Sequence, residues 1–161
     1  FVGEGPGFQE DHIGEPFVGK AGQLLDNILA AIGLSRDTVY IANVVKCHPM
    51  KDPAQPESRG NDRPPAPEEI EACRPYLEEQ LRRIAPRFVV ALGAVAARAL
   101  LREETGIKKI RGQWRELAVP GLPRPLRLLP TFHPAALLRD PSLKREVWTD
   151  MKSLRQELST L

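Results

Sequence analysis

FVVALGAVAARALLREE, residues 88–104, decides the fold class. An apolar run carrying two valines ends at Gly93, and an alanine- and leucine-rich segment follows directly behind it. The first half predicts a strand buried on both faces and the second a helix packed back upon it. The same alternation recurs outward in both directions. Upstream, FVGEGPGFQED (1–11) is an apolar pair running into a Gly/Pro-rich turn, and Leu24, Leu25, Ile28, Leu29 and Ile32 then recur at helical spacing until Gly33. TVYIANVVKC (38–47) is dense in β-branched residues and predicts a second buried strand, closed by a polar turn at Cys47 and His48. Residues 49–67, rich in Pro, Asp and Arg, predict an exposed irregular insertion. Ile70, Cys73, Leu77, Leu81 and Ile84 mark a helical face that Pro75 is expected to interrupt or to begin. Downstream, LRLLPTFHP (126–134) supplies another strand and EVWTDMKSLRQEL (146–158) a closing helix. The alternation predicts a three-layer α/β/α domain around a central four-stranded parallel sheet.

Length and composition agree with one domain over residues 1–161: 161 residues, 42% of them apolar, can build one core but not two ordinary ones. No apolar run reaches the roughly 18 to 20 residues of a membrane span, and the start lacks the regions of a signal peptide. A cytoplasmic protein is the expectation. The chain opens on Phe1, without Met, at what reads as the end of a strand, so an upstream segment is expected in the natural chain. A net charge of +2 is too small to argue for nucleic acid by bulk electrostatics, which leaves local clusters to carry that case. Lys108, Lys109, Arg111 and Arg115, interleaved with Gly112 and Trp114, form one; Arg139, Lys144 and Arg145 form another. Each could also be an ordinary solvated face. Cys47 and Cys73 by themselves make neither a disulfide scaffold nor a metal site.

GEPFVGKAGQ (14–23) matches the phosphate-binding pattern G-x-x-x-x-G-K-[ST] except at Ala21. Alanine cannot hold the magnesium that neutralises a triphosphate, and Glu4, Glu10, Asp11 and Glu15 in the preceding turn would repel one. What survives is a turn that places Phe17 in a strand-end pocket, followed by a helix start able to hold a phosphate or carboxylate. In an open parallel sheet ligands lie beyond the carboxyl ends of the strands. Glu4 and Glu10 follow the first strand, Asn43 lies toward the end of the second, and His133 follows the last.

Taken in order, GEGPGFQED, GEPFVGKAGQLLD, NVVKC, KKIRGQW and TFHPAALLRDP resemble the iron-sulfur uracil-DNA glycosylases, the family 4 group of the uracil glycosylase superfamily. The resemblance runs over nearly the whole chain. It implies an enzyme that flips uracil out of single- or double-stranded DNA and hydrolyses its glycosidic bond, acting as a monomer in the prokaryotic cytoplasm and at the nucleoid. By that resemblance Phe17 stacks on the flipped base, Asn43 reads its edge with one donor and one acceptor, and His133 stabilises the departing uracil. Glu4 and Glu10 are the candidates for orienting water or stabilising the sugar cation, with Glu10 favoured. Relatives outside family 4 carry Asp or Asn at the place of Gly5, beside the substrate. Leu137 or Leu138 is the candidate wedge for the gap in the stack, and Lys20, Lys108, Lys109, Arg111 and Arg139 are candidates to hold DNA phosphates.

The family also holds a four-iron four-sulfur cluster on four thiolates, of which this chain carries two, Cys47 and Cys73. Either the other pair lies upstream or this member lacks the cluster. Two alternatives stay open. A related branch traps uracil-DNA covalently through a His in a KRRIH-like motif, where this chain reads KKIRG (108–112) without His. A catalytically idle DNA- or partner-binding module on the same sheet is the other.

Overall fold

The computed structural model describes residues 1–161 throughout. Strand β1 (Val2–Gly3) leads through helix α1 (Phe8–Ile13) to α2 (Lys20–Ala31) and β2 (Ala42–Asn43). After the long insertion come α3 (Pro67–Ile84), β3 (Phe88–Leu92), α4 (Ala94–Leu101) and α5 (Ile107–Ile110). The chain closes with β4 (Arg115–Leu117), β5 (Leu126–Thr131), α6 (Pro134–Arg139) and α7 (Lys144–Leu158). The sheet order is β2-β1-β3-β5-β4. The first four strands in that order run parallel, and β4 pairs antiparallel with the edge of β5. The sheet therefore has five strands and not four. The extra strand escaped detection because two of its three residues are charged, and only its pairing with Leu126–Arg127–Leu128 makes it a strand.

The residues of β3 show why three layers form. Val89 and Ala91 belong to one buried apolar cluster with Leu77, Leu81 and Ala97, whereas Val90 and Leu92 belong to a second with Leu25, Leu29 and Met151. Period-two alternation sends successive side chains to opposite faces, so a strand apolar at every position must be covered on both. Helices α3 and α4 cover one face; α2, α6 and α7 cover the other.

Three local expectations change. The Gly/Pro-rich turn after β1 contains α1, whose Gly7 amide is capped by the Glu10 carboxylate at 3.2 Å. The second strand is short by ladder pairing, although the amides of Val44 and Val45 continue to bond the carbonyls of Gly3 and Glu4. Pro75 lies inside α3 without ending it. Both Pro75 and Glu71, whose carbonyl loses its donor, are exposed, so water can replace the missing bond. Residues 49–66 form the expected irregular excursion, with one isolated bridge between Met50 and Asp62. No helix is long and apolar enough to cross a membrane.

Candidate active site

The carboxyl ends of all four parallel strands open into one cleft of about 630 Å³. Its wall includes Glu4, Phe17, Asn43, Gly93, His133 and Arg139. Asn43, the last residue of β2, is 7% exposed, and its side-chain oxygen is buried without a hydrogen-bond partner. Its backbone carbonyl accepts a bond from the Lys46 ammonium at 2.7 Å. A buried acceptor left unpaired is costly unless a ligand completes it. Gly3, the parallel partner of Asn43, makes the geometry possible. A Cβ on Gly3 would lie 2.6 Å from that same oxygen and would overlap the Phe17 ring.

Phe17 is 5% exposed, and its ring stacks on the His133 imidazole with centroids 5.5 Å apart. Its backbone has φ of 54°, a left-handed conformation uncommon for a residue with a side chain. Glu10 helps hold this loop, because one carboxylate oxygen accepts the amides of Val18 and Gly19, each at 3.1 Å, while the other caps Gly7. Both oxygens of Glu10 are thus engaged with backbone. Glu4 differs: its carboxylate lines the cleft and has no hydrogen-bond partner within the chain. Burial raises the Glu4 carboxyl above its ordinary range, and the positive charge of Arg139 pulls it partly back.

His133 caps the start of α6, where its Nδ1 accepts the Ala135 amide at 3.0 Å. A neutral imidazole accepting through Nδ1 carries its proton on Nε2, which is then the free donor. Burial pushes the imidazole down to about 4, with Arg139 acting in the same direction and Glu10 opposing, so the ring is neutral near pH 7. Gly93 admits this loop: at φ of 93° it lies where a Cβ would come 2.8 Å from the His133 side chain.

The structure redistributes the other candidates. Lys20, Lys108 and Lys109 are exposed and make no ion pair, and Arg139 stands exposed at the mouth of the cleft. Arg111 points inward instead. Its guanidinium bonds to Asp150, 1% exposed, and to the Glu146 carbonyl at 3.1 Å. Asp150 also accepts the Thr131 hydroxyl at 2.6 Å, so this carboxylate ties α7 to the ends of both α5 and β5, and the Arg111 guanidinium is engaged within the fold rather than free for a phosphate. Leu137 is also corrected as a wedge, because it is 2% exposed within the core, whereas its neighbour Leu138 is 48% exposed. Adjacent helix positions lie about 100° apart, so the two leucines face different surroundings. Gly5 lines the cleft, its missing Cβ making room for Val45. Ala21 lines it too, with a methyl where a P-loop would present a hydroxyl.

Sequence reasoning missed the wall built by the insertion. His48, Asp62, Arg63 and Pro64 face the cleft, and the His48 Nε2 pairs with Asp62 at 2.5 Å. Only the pairing across 14 residues reveals this, and no local pattern signals it. Cys47 is exposed and Cys73 half-buried, with the Lys46 amide 3.4 Å from the Cys73 sulfur. No three His, Cys, Asp or Glu side chains are grouped so as to share a metal ion. Two thiolates do not by themselves fit a four-iron cluster.

A model of the Uracil DNA glycosylase superfamily matches residues 1–152. A Type-4 uracil-DNA glycosylase of Archaeoglobus fulgidus is 42% identical over 96% of this chain and 73% of its own length. Another from Thermotoga maritima is 42% identical over 96% of this chain and 74% of its own, and one from Pyrobaculum aerophilum 41% over 93% and 72%. Matched from its first strand into its last helix, with the polar residues of that match gathered at the carboxyl ends of the parallel strands, this chain belongs to the uracil-DNA glycosylase superfamily.

Proposed function

We propose that this chain excises uracil from single- or double-stranded DNA by hydrolysing its N-glycosidic bond, leaving an abasic site. The observation that carries the reading is the convergence in one cleft of a buried unpaired amide oxygen on Asn43, an aromatic face on Phe17 and a neutral Nε2 donor on His133. A base flipped into the cleft lies on the Phe17 ring, which accepts any planar base. Asn43 then selects. Its oxygen accepts the uracil N3 proton and its amide nitrogen donates to O4; cytosine presents an unprotonated nitrogen and an amino group there, mismatching both.

As the bond between C1′ and N1 breaks, its electron pair stays with uracil and the sugar becomes cationic. The Nε2–H of His133 donates to the O2 oxygen, where the negative charge accumulates. Glu4 faces the sugar side and takes the proton of the water that adds to C1′. Glu10, with both oxygens on backbone amides, positions the Phe17 loop rather than water. Lys20, Lys108, Lys109 and Arg139 hold flanking phosphates, and Leu138 enters the gap in the base stack. Cys47 and Cys73 would supply two of the four thiolates of a four-iron cluster. Iron and sulfide content of the purified protein, compared with its Cys73→Ser variant, tests it.

Incubation with uracil-containing oligonucleotides followed by alkali tests the whole reading. Strand cleavage in excess of enzyme supports turnover; a stoichiometric crosslink indicates a covalent trap, and intact DNA an idle binding module. The acid limb of kcat supplies a sharper check. Activity requires ionised Glu4, and the cation of Arg139 lowers both the Glu4 carboxyl and the His133 imidazole. Arg139→Gln removes that cation and lets both rise, so the acid limb moves to higher pH. The profile of Lys108→Gln stays in place. An unmoved limb in Arg139→Gln excludes this electrostatic arrangement.

A further inference from the structure

Phe17 holds a conformation its own side chain disfavours, and the residue that compensates lies far along the chain. A non-glycine residue at φ of 54° is strained and persists only when its surroundings enforce it. Arg36 donates its Nη1 to the Pro16 carbonyl at 2.9 Å and its Nη2 to the Phe17 carbonyl, while its Nε binds Asp26 at 2.6 Å. One planar guanidinium thus fixes two successive peptide carbonyls and is itself aimed by a carboxylate on α2. The base of this arm is rigid as well: the Ser35 amide bonds the Thr38 hydroxyl at 2.9 Å, and the Thr38 amide bonds the Ser35 carbonyl at 3.1 Å. Neither Arg36 nor Asp26 lines the cleft.

We propose that Arg36, aimed by Asp26, is the positioning residue that locks the left-handed Phe17 backbone so that its ring forms the floor of the base pocket. The inference rests on the reading of Phe17 as that floor. Arginine is required because three donors must reach three acceptors in fixed directions. Lysine offers one ammonium, which can keep the Asp26 pair or serve a carbonyl but cannot reproduce the fork. Releasing the two carbonyls frees the peptide at Phe17 to leave φ of 54°, and the ring leaves the plane of the base. Displacement of a substrate-contacting group by about 1 Å can lower a rate about 100-fold.

The test is a cycle of Arg36→Ala, Phe17→Ala and the double variant, with single-turnover excision and uracil-DNA affinity measured below each variant's unfolding transition. Arg36→Ala is expected to slow excision by roughly tenfold to 100-fold, with less effect on DNA affinity. In the Phe17→Ala background the same change is expected to alter the rate by less than about twofold, because no ring remains to position. Arg36→Lys is expected to fall between wild type and Arg36→Ala, and it serves in the cycle if Arg36→Ala does not fold. Equal fold losses in both backgrounds overturn the proposal, since general destabilisation ignores whether the ring is present. A slow Phe17→Ala beside an undiminished Arg36→Ala also overturns it and leaves the Phe17 reading standing. An undiminished Phe17→Ala removes both.

Discussion

Replacing His133 by alanine is expected to slow single-turnover uracil release by about 10² to 10³-fold, with a much smaller change in affinity for uracil-DNA. The magnitude is that of losing one preorganised donor aimed at a developing oxyanion, about 2.7 to 4 kcal/mol of transition-state stabilisation. The donor is preorganised because the Ala135 amide occupies Nδ1 and leaves the proton on Nε2. Binding is spared because the charge on O2 develops only as the glycosidic bond breaks. The same contact makes alanine an impure test, since it also removes the cap of α6, worth roughly 0.5–2 kcal/mol. His133→Asn separates the two effects. Asparagine retains a capping oxygen but is too short to present the distant donor, so it should approach alanine in rate while keeping more stability. Recovery of most of the rate by Asn would assign the loss to the cap.

The pH behaviour of His133 gives a second readout. With its folded value depressed to about 4, the imidazole does not titrate near its ordinary pKa, so kcat carries no His133 inflection around pH 6.5. For stability the sign is opposite to that of a partnered histidine. In the unfolded chain the group takes a proton below about pH 6.5 that the folded chain refuses, so its contribution to stability falls as pH drops from about 6.5 toward 4. His133→Asn should flatten that part of the curve. An unchanged slope in urea unfolding across this window would contradict a buried, neutral His133.

The layers were legible in the sequence because their signals are local. Val89 to Leu92 are apolar at every position, and Leu25 and Leu29 repeat at helical spacing, so both faces of the sheet can be anticipated from patterns shorter than a dozen residues. Phe17, Asn43 and His133 were legible as site candidates because each directly follows or ends an expected strand or turn. Orientation was not legible. Whether Arg111 faces DNA or Asp150 depends on a partner 39 positions away, and Leu137 and Leu138 differ only in which way a six-residue helix is rolled. Glu4 and Glu10 stand in one loop of similar charge. They part only when the amides of Val18 and Gly19 are found on the Glu10 carboxylate. The His48–Asp62 wall is a fourth case, because an irregular insertion carries no periodicity from which its folding back could be inferred.

Gly22→Ala is expected to destabilise the protein by up to about 2 kcal/mol, the overpacking cost less the propensity gain, and to abolish most of the excision activity, against the helix propensities of the two residues. Alanine in place of glycine within an exposed helix gains about 1 kcal/mol. Gly22 is a helical residue, buried in the first turn of α2. An added Cβ there would overlap the carbonyl of Phe17, and the obstruction is backbone rather than the yielding end of a side chain. Either the start of α2 or the peptide at Phe17 must move. The latter is already strained and is held by Arg36 on its carbonyl and by Glu10 through the following amides. Overpacking of a filled site costs about 1–3 kcal/mol, and here it acts on the loop that carries the pocket floor. Urea unfolding of Gly22→Ala beside Gln23→Ala, an exposed neighbour on the same turn, reads the difference: the neighbour should remain within about 0.5 kcal/mol of wild type. A Gly22→Ala protein more stable than wild type would show that the Phe17 carbonyl has room to yield. A stable and fully active variant would detach the left-handed turn from catalysis altogether. Activity lost further than stability, which is the expected pattern, ties the missing methyl of Gly22 to the place where the base must lie.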